Sequence, residues 1–452
     1  MPTSPQPTLA SLAEDLASGR TRSVDLVEAC LARIEDADGE GARAFSLVDR
    51  AGALKAAEGF DALRAAGAAP SPFAGIPIGI KDLFDVAGQV TTAGSKVLAD
   101  APPAPRDAPS VARLRKAGFV FIGRNTMTEF AYSGLGLNPH YGSPRAPYDR
   151  ATGRISGGST SGGAVAVADG MAHAALGTDT GGSARIPAAF CGIVGFKPTA
   201  RRVPLDGAFP LSSSLDSIGP MARSVACCAA LDAILAGEEP TLLTARPLAG
   251  LRLLIPATVA LDELDSTVAS AFEATIARLS QAGARVTSAP FPEFGEVAGI
   301  NAKGGFTAAE SYAVHRALLA EKAEGYDPRV SVRIKRGADQ SAADYLDILA
   351  ARRALIKRAT ARLAPYDALV LPTTPVIPPR VADLEGDDAA YGKANLLILR
   401  NPTLINMIDG CAISLPVAGE GGAPTGLMLA GPAESDARIF AIAAGIEAVL
   451  KG

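Results

Sequence analysis

The chain has 452 residues, 48% hydrophobic and 20% charged, which is enough apolar material for a large core and argues against a disordered protein. A net charge of −4 with dispersed lysines and arginines leaves no electrostatic footprint for nucleic acid, and no apolar run approaches the roughly 20 residues that cross a bilayer. Five cysteines (Cys30, Cys191, Cys227, Cys228, Cys411) and three histidines (His140, His173, His315) show no metal-ligand spacing, so reduced buried thiols, no metal and no cofactor are expected.

Met1 to Pro7 holds no basic segment followed by an apolar run, so it does not read as a secretory leader, and a cytoplasmic setting is expected. Leu9, Leu12, Ala13 and Leu16 then fall at helical spacing and stop at Gly19, and Ser23 is placed to cap a second helix carrying Val24, Val27, Leu31 and Ile34. Residues 1–70 thus read as a helical layer through which the chain enters the fold. From Phe73 the pattern changes: GIPIGI at 75–80 is a short apolar strand, 110–117 a helix and 119–123 a strand. The small residues 164–168 suit a tightly packed helix, and 172–176 a buried strand returning from it. Further strands are expected at 251–256, 284–287 and 366–372, with a helix at 266–279. The charged, helical segment at about 300–363 would lie over the sheet and border a pocket. Its basic stretch Arg329 to Arg336 (RVSVRIKR) reads as a solvated helix face. Length alone suggests about three domains, yet no repeat, linker or composition shift marks a boundary, so residues 1–452 read as one large layered α/β domain.

Two Gly-Ser loops lie close together in this pattern, GGSTSGG at 157–163 and GTDTGGS at 177–183, and Lys81 precedes them in GIKD at 79–82. Taken singly, each loop reads equally well as a flexible connector. A helix out and a strand back would bring Ser159 and Ser183 to the same end. A serine nucleophile needs a base, and here no histidine has a triad context and neither serine centres a Gly-x-Ser-x-Gly elbow. Lys81 leaves a buried strand, where burial disfavours its charged form and makes the amine able to accept a proton. The alternative for Lys81 is a structural ion pair with Asp82 or another carboxylate. The consecutive N–H groups of Thr180, Gly181, Gly182 and Ser183 can converge on one oxygen, an oxyanion hole in outline. No Gly-x-x-x-x-Gly-Lys-Ser/Thr string supports the competing phosphate site.

Lys81, the GGSTSGG loop and residues 177–199 (GTDTGGSARIPAAFCGIVGFKPT) together resemble the amidase signature family of Ser-Ser-Lys amidohydrolases. The likeness continues in MTEFA at 127–131, SSSLDSIGP at 212–220, LPTTP at 371–375 and TGLMLAG at 425–431, and so covers nearly the whole chain. The resemblance implies a central mixed, twisted β-sheet covered by helices on both faces. It implies Ser183 as the acyl-forming nucleophile, Ser159 as the bridging serine after a cis peptide at Gly158, and Lys81 as the terminal base. The N–H groups of Thr180, Gly181, Gly182 and Ser183 would hold the oxyanion. Arg185 and Asp179 match positions that look structural, bracing the loop through charge-assisted hydrogen bonds. Thr160 stands where many relatives have serine and Ser156 where proline is frequent, and neither departure removes a required group.

The activity implied is an amidohydrolase cleaving a carbon–nitrogen bond of a small or aromatic amide, with anilides, carbamates and esters open to the same acyl chemistry. The alternative is the glutaminase A subunit of a glutamyl-tRNA(Gln) amidotransferase-like complex, from whose Tyr-Gly-Arg-Val-Ser segment ARRVP at 200–204 departs. A non-catalytic binding protein is a third reading, disfavoured because no triad position is lost. Expected partners are a small amide-type substrate and, at most, a second copy of the chain in a homodimer; neither nucleic acid nor membrane is expected. Phe130, Tyr132, Ser133 and Leu135 are placed to border the acyl pocket, although Phe130 and Leu135 read equally as core. Residues 300–345 would cover the leaving-group side.

Overall fold

Short apolar runs separated by helices pair into one sheet in the computed structural model, which describes residues 7–451. Residues 1–6, most of the segment inspected for a leader, lie outside the described residues. In chain order the strands are β1 (Phe45–Val48), β2 (Pro77–Lys81), β3 (Val120–Asn125), β4 (Ala174–Thr178), β5 (Val194–Lys197) and β6 (Ile218–Ala222). They continue with β7 (Arg252–Pro256), β8 (Arg285–Ala289), β9 (Ala368–Pro372), β10 (Cys411–Ala418) and β11 (Pro424–Gly431). Across the 11-stranded sheet the order is β1-β3-β2-β4-β6-β5-β10-β11-β9-β7-β8. Parallel pairs at β3-β2-β4 and β9-β7-β8 flank an antiparallel centre, so the sheet is mixed.

Alternation along the strands divides the core between two faces. Val370, Ile413, Leu427 and Leu429 join a cluster with Leu9, Leu231 and Ile442 from the helices Leu9–Ala17, Val225–Ala236 and Asp436–Lys451. Leu369, Leu371, Met428 and Ala430 pack on the other side with Leu355 and Leu404 from the helices Ala342–Leu363 and Asp388–Met407. All five cysteines are buried and unpaired.

The helices at Leu9–Ala17 and Ser23–Ile34 and the strands β2, β3, β4, β7, β8 and β9 fall where the sequence pattern puts them, to within a few residues. The remaining strands are not marked individually by the pattern, and each has a local reason. In the segment read as helical, β1 gains its place only by pairing with β3. β5 and β6 are buried along their whole length and interrupted by Gly195, Gly219 and Pro220, so neither shows a period-2 signal. β10 and β11 form the long antiparallel pair that links β5 to β9, a pairing that only the sheet as a whole specifies. The segment 300–363 is helical, in Gly305–Lys322, Pro328–Lys335 and Ala342–Leu363.

Candidate active site

Parallel pairing of β2 with β4, in the register Ile80 to Leu176, sets the carboxyl ends of the two strands side by side. Such ends are where open α/β sheets hold ligands. Lys81 closes β2 and Thr178 closes β4, and the loops that follow carry the remaining groups. Lys81 is fully buried, with Nζ 2.8 Å from Ser159 Oγ and 2.7 Å from Thr178 Oγ1. Among the described residues it meets no carboxylate. Asp82, the alternative partner, instead accepts from Arg124 at 3.0 Å and from Thr92. Burial pushes the Lys81 amine down to about 7, against the pull of Asp216 and Asp179.

Ser159 follows a cis Gly158–Ser159 peptide bond, directly before the helix Ser161–Asp169. That helix can lie deep in the protein because its first turn has no side chains in the way: a Cβ on Gly162 would stand 2.2 Å from the Ala44 carbonyl oxygen. Ser183 precedes the helix Arg185–Cys191 and lines a cleft of about 200 Å³. The two serine loops are tied by Thr160 N–H donating to the Ser183 carbonyl at 3.2 Å. Their hydroxyls are not hydrogen-bonded to each other, so the Lys81–Ser159 link is formed and the Ser159–Ser183 link is open. Catalytic hydrogen bonds are often loose before substrate binds.

The four residues expected to supply oxyanion donors are not equivalent. Gly182 N–H donates to Asp179 Oδ1 at 2.9 Å and is therefore engaged. The N–H groups of Thr180, Gly181 and Ser183 have no acceptor among the described residues and remain available at the cleft that these three residues line. Asp179 is held in turn by Arg185, whose Nε and Nη2 donate to its two carboxylate oxygens at 2.9 and 2.8 Å. Burial alone would raise the Asp179 carboxyl, but the Arg185 charge holds it well below the usual carboxylate range. Arg185 also donates to Asn406 Oδ1 at 2.6 Å and is completely buried, which is a bracing role away from the cleft.

Tyr132 and Ser133 line the cleft, whereas Phe130 and Leu135 are core. Phe130 packs against Phe209, His315 and Tyr326. No histidine lines the cleft: His140 bonds Glu129, His315 bonds Tyr326, and His173 is buried elsewhere.

Four groups carry no signal in the sequence that singles them out. Thr178 and Asp216 stand inside recognisable motifs without a visible role, and only strand pairing and loop closure show what they touch. Asp216 accepts from Thr180 Oγ1 and from the N–H groups of Leu211 and Ser212, the latter two at 3.0 Å, and burial pushes it up to about 6. Arg333 corrects in part the reading of RVSVRIKR as a solvated face: it lines the cleft that holds Ser183, and Arg336, itself exposed, stands at the rim of the same cleft. The helix Pro328–Lys335 buries Val330 and Ile334, and that rotation turns Arg333 inward over the Tyr132 ring, 4.3 Å from its centroid.

Residues 25–440 match the model of the family described as Amidase. The chain is 38% identical to the 2-amino-5-chloromuconic acid deaminase of Comamonas testosteroni, over 97% of this chain and 96% of that protein. It is 35% identical to the A subunit of the glutamyl-tRNA(Gln) amidotransferase of Chloroflexus aggregans, over 96% and 94% respectively. It superposes on a crystal structure of an amidase with a TM-score of 0.89 and 33% identity, over 98% of this chain and 100% of the other.

Proposed function

The chain belongs to the amidase family and is a hydrolase of carbon–nitrogen bonds, and on that premise we propose that it cleaves a small amide through an acyl-enzyme built on Ser183, Ser159 and Lys81. One observation carries this reading. Lys81 is a fully buried amine whose polar neighbours are two hydroxyls, one of them on a serine, and burial brings it to about 7, where a neutral base and its conjugate acid are both accessible.

In this mechanism Ser183 Oγ attacks the amide carbon while its proton passes through Ser159 to neutral Lys81. The negative charge on the carbonyl oxygen is met by the free N–H groups of Thr180, Gly181 and Ser183. Gly182 serves differently: its N–H, bound to Asp179, fixes the loop that aims the other three. The relay then runs backward to protonate the departing amine, the C–N bond breaks, and water activated along the same path releases the acid. The cleft, at about 200 Å³, falls below the range of about 300–1,000 Å³ usual for drug-sized ligands and favours a small substrate.

The test is a panel of aliphatic amides, anilides, carbamates, esters and glutamine, run on the wild type and on Ser183→Ala. Hydrolysis of at least one amide that disappears in Ser183→Ala is expected, together with a fluorophosphonate adduct located on Ser183 by peptide mass analysis. Hydrolysis indifferent to the substitution removes the mechanism. The 35% identity to an amidotransferase component favours a second reading, an ammonia-releasing member of a complex. Glutamine as the preferred substrate of the panel, with activity rising in the presence of partner proteins, would establish that reading over a stand-alone amidase.

A further inference from the structure

Among the described residues, the lining of the cleft beside Ser183 contains two guanidinium groups and no acid. Arg333 lies over the Tyr132 ring and donates to the Tyr132 carbonyl, and Arg336 Nη2 donates to the Ala302 carbonyl at 3.3 Å. Among the described residues neither meets a carboxylate. Arg329, on the same helix, does: its Nε donates to Asp388 at 2.7 Å. Desolvation lowers the Arg333 pKa, and the groups acting electrostatically on it are Tyr132, Tyr391 and Arg336, with no Asp or Glu. A partly buried cation without a counter-ion is costly, and an anion brought by a ligand offsets that cost. The planar fork of arginine suits a carboxylate in particular.

The lining excludes as well as selects. Since it contains no Asp or Glu, an ammonium group on the ligand would meet two guanidinium groups and no carboxylate in the lining, the nearby acids Asp206 and Asp216 belonging to the adjoining cavity behind Thr180 and Leu211. Building on the Ser183 reading above, we propose that the substrate is an amide that also bears a carboxylate and no neighbouring ammonium, such as the monoamide of a small dicarboxylic acid, with that carboxylate received by Arg333 and Arg336. For a primary amide the reaction consumes one water, breaks the C–N bond and yields the dicarboxylate and an ammonium ion. Arg333 and Arg336 are specificity-determining residues that hold the far end of the substrate while its amide carbon faces Ser183.

Isosteric pairs test this directly: succinamate against butanamide and glutaramate against pentanamide each exchange a carboxylate for a methyl group, and glutamine adds an ammonium to glutaramate. The wild type is expected to prefer the carboxylate member in kcat/KM by about 10- to 100-fold, the scale of a hydrogen-bonded charge pair, and to prefer glutaramate to glutamine. In Arg333→Gln, and to a lesser degree in Arg336→Gln, the preference should collapse through KM. It should also weaken with added salt. Hydrolysis that depends on Ser183 but shows no preference, or a preference that survives both substitutions, overturns the inference and leaves the catalytic reading intact. Hydrolysis that ignores Ser183→Ala overturns the catalytic reading instead. Calorimetric titration of glutarate into Ser183→Ala reads the anion site without turnover: binding is expected, with about a 10-fold loss on adding Arg333→Gln, and no binding overturns the inference. Arg336 is exposed, so its variant remains informative if Arg333→Gln does not fold.

Discussion

Lys81 is held in the core by Ser159 and Thr178 with no carboxylate in contact among the described residues, an arrangement that costs stability and, in the proposed mechanism, supplies the base. Its pKa falls from the ordinary lysine value to about 7, so from about pH 10 down to 7 the unfolded chain holds a proton that the folded one has released. The stability contribution of this group therefore falls as pH drops toward 7 and levels off below it. Lys81→Met is expected to raise stability at pH 7 by about 1–3 kcal/mol while reducing turnover by about 1,000-fold or more, read by thermal unfolding and by steady-state kinetics. In the wild type, kcat/KM should rise with pH through about 7, because only neutral Lys81 accepts the proton; a profile flat from pH 6 to 8 removes its assigned role. Asp179 works in the opposite sense. Arg185 holds its carboxyl below the usual range, so its contribution is full above the unfolded carboxylate pKa and is lost as pH falls through the folded one. Arg185→Leu strands this buried carboxylate and should cost about 3–5 kcal/mol in urea unfolding.

Loops and helices set these groups in place. The 177–183 loop turns through Gly182 at φ +128°, where a Cβ would stand 2.6 Å from Ile186 Cδ1 and 2.7 Å from Pro402 Cβ. Gly182→Ala should therefore destabilise the fold by about 1–3 kcal/mol and swing the neighbouring amides off the carbonyl oxygen, with a loss of about 100-fold in kcat. Fluorophosphonate labelling that slows in proportion, with native circular dichroism retained, is the expected signature. Helices with a clear apolar stripe, such as Leu9–Ala17 and Ser266–Gln281, are legible from spacing. Strands β5 and β6 are not, because burial on both faces removes the alternation that marks a strand. The helix Pro328–Lys335 shows the limit most clearly. Its apolar positions Val330 and Ile334 are visible in the sequence, but which of its arginines faces solvent depends on what the helix packs against.

At the scale of the molecule, the sheet order interleaves distant segments: β10 and β11 stand in its interior, between β5 and β9. A fragment ending at residue 240 carries Lys81, Ser159 and Ser183 yet leaves β5 with an open edge in place of β10 and strips Asn406 from Arg185. Such a fragment is expected to lack cooperative thermal unfolding and all amide hydrolysis; an active fragment would show that the site needs only its local loops. The sequence by itself determined the α/β class, the Gly-Ser loops and the lysine between strand and loop, because these depend on periodicity and on residues close together in the chain. Tertiary structure alone decided that Lys81 has no acid partner among the described residues, that Gly182 spends its N–H on Asp179, and that Arg333 and Arg336 line the cleft. Each of these depends on groups brought together from separate elements, and only packing determines which donor meets which acceptor.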